Sequence, residues 1–148
     1  MSRDWQQLLY STIPLSVAMQ VGVIDHPDGR AELTAPLAPN VNDKGTGFGG
    51  SLATLATLAG WIEVRRQLDL LSLDEAAEIV IQHGNTEYLH PVTADFTALV
   101  EPVDAAELAR FGKLFARRGM ARLGVRVQLL CHAQCCAVFH GEYVASSV

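Results

Sequence analysis

The sequence lacks the features that mark several large classes of protein. No apolar run reaches the ~20 residues that a membrane-spanning helix requires. The first residues show neither the basic start nor the continuous apolar stretch of an export signal. Charged residues are 18% and hydrophobic residues 49% of the chain, which is too apolar for a disordered protein. We therefore expect a soluble, cytoplasmic, globular protein without a membrane partner.

Cysteine and positive charge are also scarce. Cys131, Cys135 and Cys136 are an odd number of cysteines without the paired spacing of a zinc site or a secreted disulfide framework, so we expect reduced core thiols. The net charge of -5 argues against nucleic acid as a partner. The histidines lack ligand spacing, and we predict neither a metal nor a resident cofactor.

The order of secondary-structure patterns predicts one α+β domain over residues 1–148. A short amphipathic helix at 4–10, with Asp4 or Ser2 as its cap, opens the chain. The remaining predictions are strands at 16–25 and 30–35, a loop at 36–50, a helix at 51–68, strands at 77–88 and 95–100, a surface helix at 105–118, and strands at 122–131 and 134–145. This order is typical of an antiparallel sheet that wraps around one long helix.

The composition of the long helix predicts that it lies in the core. From Ser51 to Gly60 it carries no charged residue, so we expect burial on all sides. Glu63, Arg65, Arg66 and Gln67 follow, and we expect them to mark the exit of the helix to solvent.

The loop ahead of this helix is rich in glycine. Glycines at 45, 47, 49 and 50 allow the backbone to approach a ligand closely, and free N–H groups at a helix N-terminus can hold an oxyanion. The alternative is that the glycines serve only a tight turn packed against the helix.

The same loop carries a family resemblance. Asn42, then Gly45-Thr46, then an aromatic residue before Gly49-Gly50 and a Leu-Ala-Thr-Leu-Ala helix resemble the active-site loop and central helix of hotdog thioesterases of the phenylacetate-pathway type. Tyr88-Leu-His-Pro91 resembles the Tyr-x-x-Pro of that superfamily. The resemblance covers nearly the whole chain and implies a hotdog fold and a homodimer, with a tetramer of two dimers as a further possibility.

The chain departs at two positions from the residues of hydrolytic hotdog enzymes, and these positions point to a narrower family. Phe48 replaces the usual histidine, and Thr57 replaces the helix carboxylate that activates water or attacks the thioester. Residues 36–61 are most similar to a bacterial family first described as putative thioesterases, found alone or fused behind a GNAT-type acetyltransferase. That family was later assigned to malonyl-acyl carrier protein decarboxylation, which supplies acetyl primer for fatty-acid synthesis.

The resemblance implies a reaction that needs no activated water. Decarboxylation of a malonyl thioester requires donors that stabilise a developing enolate oxygen. The expected catalytic residues are Asn42, Gly50, Ser51 and Thr57. The expected substrate-binding residues are Asn40, Lys44, Phe48, Gly49, His83, Asn85, Tyr88, Arg117 and Arg118. The substrate would be the thioester of acyl carrier protein or coenzyme A.

Each assignment has a structural alternative. Asn42 would only turn the loop, Ser51 would cap the helix, and Thr57 would pack in the core. Lys44 would be solvated. His83 and Asn85 are expected either at a dimer interface, as part of the site, or on the outer face of the sheet.

Basic residues are concentrated in one segment. Six of the eleven lie between 110 and 126, namely Arg110, Lys113, Arg117, Arg118, Arg122 and Arg126. A cluster beside the pocket would attract the acidic acyl carrier protein or the phosphates of coenzyme A. The alternative is a solvated crossover helix.

Two other functions remain open at this point. One is a thioesterase that uses a different carboxylate, with Glu63 as the nearest candidate on the helix. The other is a non-catalytic module that binds acyl carriers.

Overall fold

The computed structural model describes residues 3–147. Its helices are α1 (Trp5–Thr12), α2 (Pro14–Ala18), α3 (Gly49–Leu70) and α4 (Ala105–Arg118), with a 3-10 turn at Ala38–Asn40. Its strands are β1 (Gly22–Asp25), β2 (Ala31–Ala35), β3 (Glu78–Tyr88), β4 (Phe96–Val100), β5 (Met120–Cys131) and β6 (Gln134–Ser146).

The six strands form one antiparallel sheet in the order β1-β2-β4-β5-β6-β3. One face of this sheet packs against α3, which contacts every strand from β2 to β6. The α+β architecture of a sheet wrapped around a long helix, the hotdog arrangement, is therefore confirmed. Strands β1 and β3 are the two edges of the sheet.

Capping residues explain where the surface helix α4 begins and ends. Asp104 caps α4 by accepting a hydrogen bond from the Glu107 N–H at 3.2 Å, and Gly119 ends the helix in the left-handed conformation. Phe111 and Phe115, at helical spacing, are buried on its inner side. The predicted bounds of this helix are confirmed.

The second half of α3 contradicts the prediction of an exit to solvent. Glu63 and Arg65 are only 3% and 6% exposed, and Gln67 is also buried. The Glu63 carboxylate accepts hydrogen bonds from Arg66 at 2.9 Å and from Gln67 at 2.7 Å. Buried polar groups are tolerated when they are paired in this way, and a charge pattern in sequence cannot reveal the pairing.

The link between α3 and β3 provides partners for Arg65. Its guanidinium donates to the carbonyl oxygens of Asp74, at 3.3 Å, and of Glu75 and Ala77. Burial lowers the pKa of this guanidinium. Arg65 therefore fastens the end of the central helix to the start of β3.

The predicted strand at 16–25 is wrong in its first half. Pro14 starts the short helix α2, where a proline fits the first turn, and the buried Ser16 donates to the Ile13 carbonyl at 2.7 Å. The chain then turns at Gln20, whose φ is 57°, and pairs as a strand only over Gly22–Asp25.

The three cysteines lie around the β5–β6 hairpin and are free thiols. Cys131 and Cys136 are buried, whereas Cys135 is half-buried. Burial raises the pKa of the Cys136 thiol, which favours its neutral form. The expected burial is confirmed for Cys131 and Cys136, and their reduced state stays a prediction.

Candidate active site

The glycine-rich loop is fixed by hydrogen bonds to neighbouring backbone. The Gly47 N–H donates to the Val92 carbonyl at 2.8 Å, and the Phe48 N–H donates to the Asn40 carbonyl at 2.8 Å. A Cβ on Gly47 would lie 2.9 Å from side-chain atoms of both Val92 and Leu52. The close approach requires glycine at this position and sets the entry of the chain into α3.

The N-terminus of α3 has no side-chain cap. Phe48 occupies the cap position, and its carbonyl accepts from the Ser51 and Leu52 N–H groups at 2.9 and 3.1 Å. Among residues 3–147, the Gly49 and Gly50 N–H groups have no protein acceptor. The alternative that Ser51 caps the helix is wrong, because the helix begins two residues before it. Two donors of the first turn therefore remain available to an anion.

Two aromatic rings flank these donors. The Tyr88 hydroxyl donates to the Gly49 carbonyl at 2.8 Å, and its ring lies 3.3 Å from where a Cβ of Gly49 would be. The Phe48 ring would lie 2.5 Å from a Cβ of Gly50. Both rings are about half exposed. They lie beside the glycine pair, and an alanine at either position would press its methyl group against one of the two rings.

One stripe of α3 continues from the glycine pair along the helix. Ala53, Thr54, Thr57 and Trp61 are partly exposed, whereas Leu52, Leu55 and Leu58 on the other sides are buried. The Thr57 hydroxyl donates to the Ala53 carbonyl at 2.8 Å, so its oxygen can still accept a hydrogen bond. The stripe carries no ionisable side chain.

Asn42 organises the loop in this structure. Its amide nitrogen donates to the Thr46 hydroxyl at 2.8 Å and to the Gly47 carbonyl at 3.3 Å. Its carbonyl oxygen accepts from the Lys44 and Thr46 N–H groups at 2.8 and 3.1 Å. Both N–H groups of the Asn42 amide are therefore used within the loop. To donate to a substrate, Asn42 would have to give up one of these two hydrogen bonds, and that role stays a prediction.

Asn40 and Lys44 have contrasting surroundings. Asn40 is 2% exposed, and its amide donates to the carbonyls of Met19 and Pro36 at 3.0 and 2.8 Å. Its side-chain oxygen has no partner among the described residues. Lys44 is highly exposed and pairs with Asp43 at 3.1 Å. Asn40 thus supports the loop from beneath, while Lys44 extends into solvent.

His83 and Asn85 lie on the outer face of the sheet. In the β3–β6 register they are opposite Glu142 and His140, which point away from α3. A sheet alternates its side chains between faces, so Tyr88 lies on the other side, facing the helix. Within one protomer the structure does not bring His83 and Asn85 to the glycine loop, and their contribution to a site stays a prediction.

Arg117 and Arg118 of the basic cluster lie at the opposite end of α3 from the loop, whereas Arg126 lies in the middle of β5 and pairs with Glu101. The 22 residues of this helix span roughly 33 Å. Leu71, just past its end, packs against Gly112 of α4, which carries Arg117 and Arg118 in its last turn. Within a single protomer, therefore, Arg117 and Arg118 do not flank the glycine loop as expected. The sequence does not show beside which end of α3 these residues will pack.

Sequence reasoning missed the support beneath Thr57. The Tyr143 hydroxyl donates to the Thr57 main-chain carbonyl at 2.8 Å, and a Cβ on Gly60 would overlap this hydroxyl. Burial raises the pKa of Tyr143 strongly. The sequence signal that could have indicated this close approach is Gly60, a glycine inside a helix.

Comparison with known proteins places these features in a family. A family model described as "Putative thioesterase (yiiD_Cterm)" matches residues 2–147. The chain is 36% identical to a putative thioesterase from Shewanella oneidensis, with a TM-score of 0.80, over 97% of this chain and 95% of that one. It is 30% identical to a protein of unknown function from Chlorobaculum tepidum TLS, with a TM-score of 0.90, over 97% and 93% of the two chains.

A more distant likeness concerns the fold alone. BH2602 from Bacillus halodurans, solved with CoA, is 20% identical, with a TM-score of 0.72, over 98% of this chain and 88% of that chain.

Proposed function

The chain belongs to the hotdog-fold family of putative thioesterases (yiiD_Cterm), whose chemistry is that of acyl thioesters, and we propose that this member decarboxylates malonyl thioesters rather than hydrolysing acyl thioesters. One observation carries the proposal. The Gly49 and Gly50 N–H groups, which have no acceptor among residues 3–147, lie at the start of a helix stripe that carries no carboxylate.

The proposed step matches those donors. The bond between the malonyl carboxylate and the α-carbon breaks, and its electron pair forms an enolate whose charge rests on the thioester oxygen. Carbon dioxide leaves, and a proton from water completes the acetyl thioester. Two N–H groups and the positive end of α3 stabilise the enolate oxygen in the transition state.

The side chains around the glycine loop also favour loss of the malonyl carboxylate as carbon dioxide. A fixed cation beside it would stabilise the malonyl ground state, whereas a helix carboxylate at position 57 would repel the substrate. Thr57 is neutral, and Lys44 is exposed and paired with Asp43. Asn42 holds the loop in shape, and it is the side chain expected to exchange a hydrogen bond with substrate.

The carrier is proposed to be phosphopantetheine, in acyl carrier protein or coenzyme A. The presence of CoA in BH2602 supports this carrier class. The half-exposed rings of Phe48 and Tyr88 provide apolar walls for the thioester end of such an arm. We propose no resident metal or cofactor, since the reaction requires only hydrogen-bond donors.

We propose a homodimer that forms through β3, with a pair of dimers as the larger assembly. Among residues 3–147, β3 pairs only with β6, which leaves an eleven-residue edge. Val80 and Ile81 on this edge are exposed. An uncovered strand of this length is a template for pairing with another chain. A partner β3 would extend the sheet and cover the partly exposed stripe of α3. We propose a cytoplasmic location. Separately, no helix within residues 3–147 is long and apolar enough to cross a bilayer.

The direct test is mass spectrometry of malonyl-acyl carrier protein after incubation with the purified protein. Wild type is expected to remove one carbon dioxide, and Asn42→Ala to slow this at least tenfold by loosening the loop. Asp43→Asn is the matched control in the same loop, because the Asp43 side chain is exposed and, among residues 3–147, forms a hydrogen bond only with Lys44. An unchanged malonyl carrier with wild type would refute decarboxylation.

The thioesterase alternative predicts a different product. Hydrolysis releases free thiol, which a thiol-reactive dye detects, whereas decarboxylation leaves the thioester intact. The family description favours this alternative, but its candidate base, Glu63, is buried and bonded to Arg66 and Gln67. A binding module would give neither product and would tolerate alanine at Asn42.

A further inference from the structure

The end of α4 presents cations that are not neutralised. Lys113, Arg117 and Arg118 are exposed, and none has a carboxylate within ion-pair distance in the described part of the chain. By contrast, Arg110 on the same helix pairs with Glu107. We call Lys113, Arg117 and Arg118 the α4 patch. Unpaired cations in a chain of net charge -5 form a local positive surface.

Exposed apolar side chains lie beside the α4 patch. Met120 follows two residues after Arg118, and Leu71 packs against Gly112; both are about half exposed. Lys113 and Arg117 lie one helical turn apart on α4, and Arg118 follows directly. Exposed cations beside apolar side chains suit the acidic, amphipathic helix of a protein partner.

Strand pairing fixes where the α4 patch lies relative to β3. Met120, at the start of β5, is opposite Ser146 of β6, which is opposite Glu78 at the start of β3. Tyr88, which contacts the glycine loop, is at the other end of β3. Within a protomer, therefore, the α4 patch and the glycine loop lie at opposite ends of the same strand.

Antiparallel pairing of β3 with its copy would bring the α4 patch of one subunit close to the glycine loop of the other. If the two-fold axis passes the middle of the strand, at His83, Tyr88 lies beside the partner subunit's Glu78. The partner subunit's Met120 is then three strand spacings away, roughly 14 Å. A two-fold axis perpendicular to the sheet also keeps both α3 helices on the same face. The α4 patch of one subunit thus approaches the glycine loop of the other.

We propose that the α4 patch is the docking surface for an acidic carrier protein, and that it delivers the thioester to the glycine loop of the partner subunit. This inference rests on the proposed function and its dimer. The long, flexible phosphopantetheine arm would cross the subunit boundary from the docked carrier. Long-range attraction by exposed cations acts on encounter and apparent affinity, and it leaves the chemical step unchanged.

The first experiment compares two carriers. The double variant Arg117→Glu/Arg118→Glu is expected to raise KM for malonyl-acyl carrier protein about tenfold, with kcat unchanged. KM for malonyl-CoA should stay within about twofold of wild type. Arg110→Glu is the control on the same helix, with an expected effect below about threefold. An equal rise for both carriers, or a rise for neither, would overturn the proposal.

Direct binding separates this proposal from the proposed reaction. Fluorescence anisotropy of labelled holo-acyl carrier protein measures docking whether or not any substrate is turned over. Weaker binding to the double variant supports the docking surface even if decarboxylation fails. Equal binding to wild type and variant refutes the docking surface even if decarboxylation is observed.

Mixed dimers test the delivery between subunits. In one mixture, one subunit carries Asn42→Ala and its partner carries the double patch change. In the other, one subunit carries all changes and its partner is wild type. Delivery to the partner predicts a normal KM for the first mixture and a raised KM for the second. The opposite pattern would show that each patch serves its own loop.

Discussion

The Tyr143 hydroxyl reaches the main-chain carbonyl of Thr57, 2.8 Å away, across the position where Gly60 lacks a side chain. This contact connects β6 to the middle of α3, at Thr57. Tyr143 is fully buried between the sheet and the helix. Its length therefore fixes the distance between β6 and α3 at Thr57.

Gly60→Ala should destabilise the protein despite the higher helix propensity of alanine. The propensity gain is about 1 kcal/mol. The new methyl overlaps a buried ring that cannot move into solvent, and overpacking of this kind costs about 3 kcal/mol. Urea unfolding should therefore show a net loss of about 2 kcal/mol. Gly124→Ala, where a Cβ meets nothing within 4 Å, is the matched control and should change stability far less.

Stability should fall at alkaline pH in a way that depends on Tyr143. Burial raises its folded pKa above the ordinary value of about 10. The neutral side chain therefore contributes stability that is complete below about pH 10 and is lost as the pH rises further. Unfolding measured from pH 8 to 11 should show a steeper decline for wild type than for Tyr143→Phe. Parallel curves would contradict this account.

Arg65→Met should be much more damaging than Arg118→Met. The first change removes the donor to three main-chain carbonyls, of which that of Ala77 is bonded in a buried setting. Leaving such acceptors unsatisfied is expected to cost about 3 kcal/mol. Arg118 is exposed, so its replacement should cost less than about 0.5 kcal/mol. Thermal or urea unfolding of the two variants provides the comparison.

Gly50→Ala should reduce activity more than stability. The added methyl meets the Phe48 ring at 2.5 Å, and this half-exposed ring can rotate away at low cost. The methyl and the displaced ring would then crowd the N–H donors that we assign to the enolate oxygen. We expect kcat to fall at least tenfold, with a stability change below about 1 kcal/mol. An unchanged kcat would remove Gly50 from the oxyanion site.

Ile81→Lys should weaken the proposed dimer. Ile81 is 40% exposed on the β3 edge, and a lysine there places a charge in the pairing surface. Ile24→Lys is the control, because Ile24 is 49% exposed on the opposite edge strand, β1. Sedimentation velocity should show a shift to monomer for Ile81→Lys alone. Dimers of equal stability in both variants would exclude β3 as the interface.

The sequence predicted most of the fold because burial leaves a regular trace in it. The sequence patterns located β5 and β6 to within two residues and α4 at its observed bounds, where the structure shows the Asp104 cap and the buried Phe111 and Phe115. The loop motif and the uncharged first half of the helix located the candidate site. The prediction failed only in the first half of residues 16–25, where a proline-initiated turn of helix resembles a strand in its pattern of small and apolar residues.

The sequence by itself determined the sheet wrapped around a helix, the glycine loop at its start and the lack of a carboxylate at position 57. Only the tertiary structure decided that Asn42 is bonded within its own loop, that Glu63 and Arg65 are buried, and that Arg117 lies at the far end of α3 from Gly50. The physical reason is the distance along the chain over which each interaction acts. Periodicity and capping act between near neighbours in the chain, whereas hydrogen-bond partners and the two ends of a sheet are set by residues far apart in sequence.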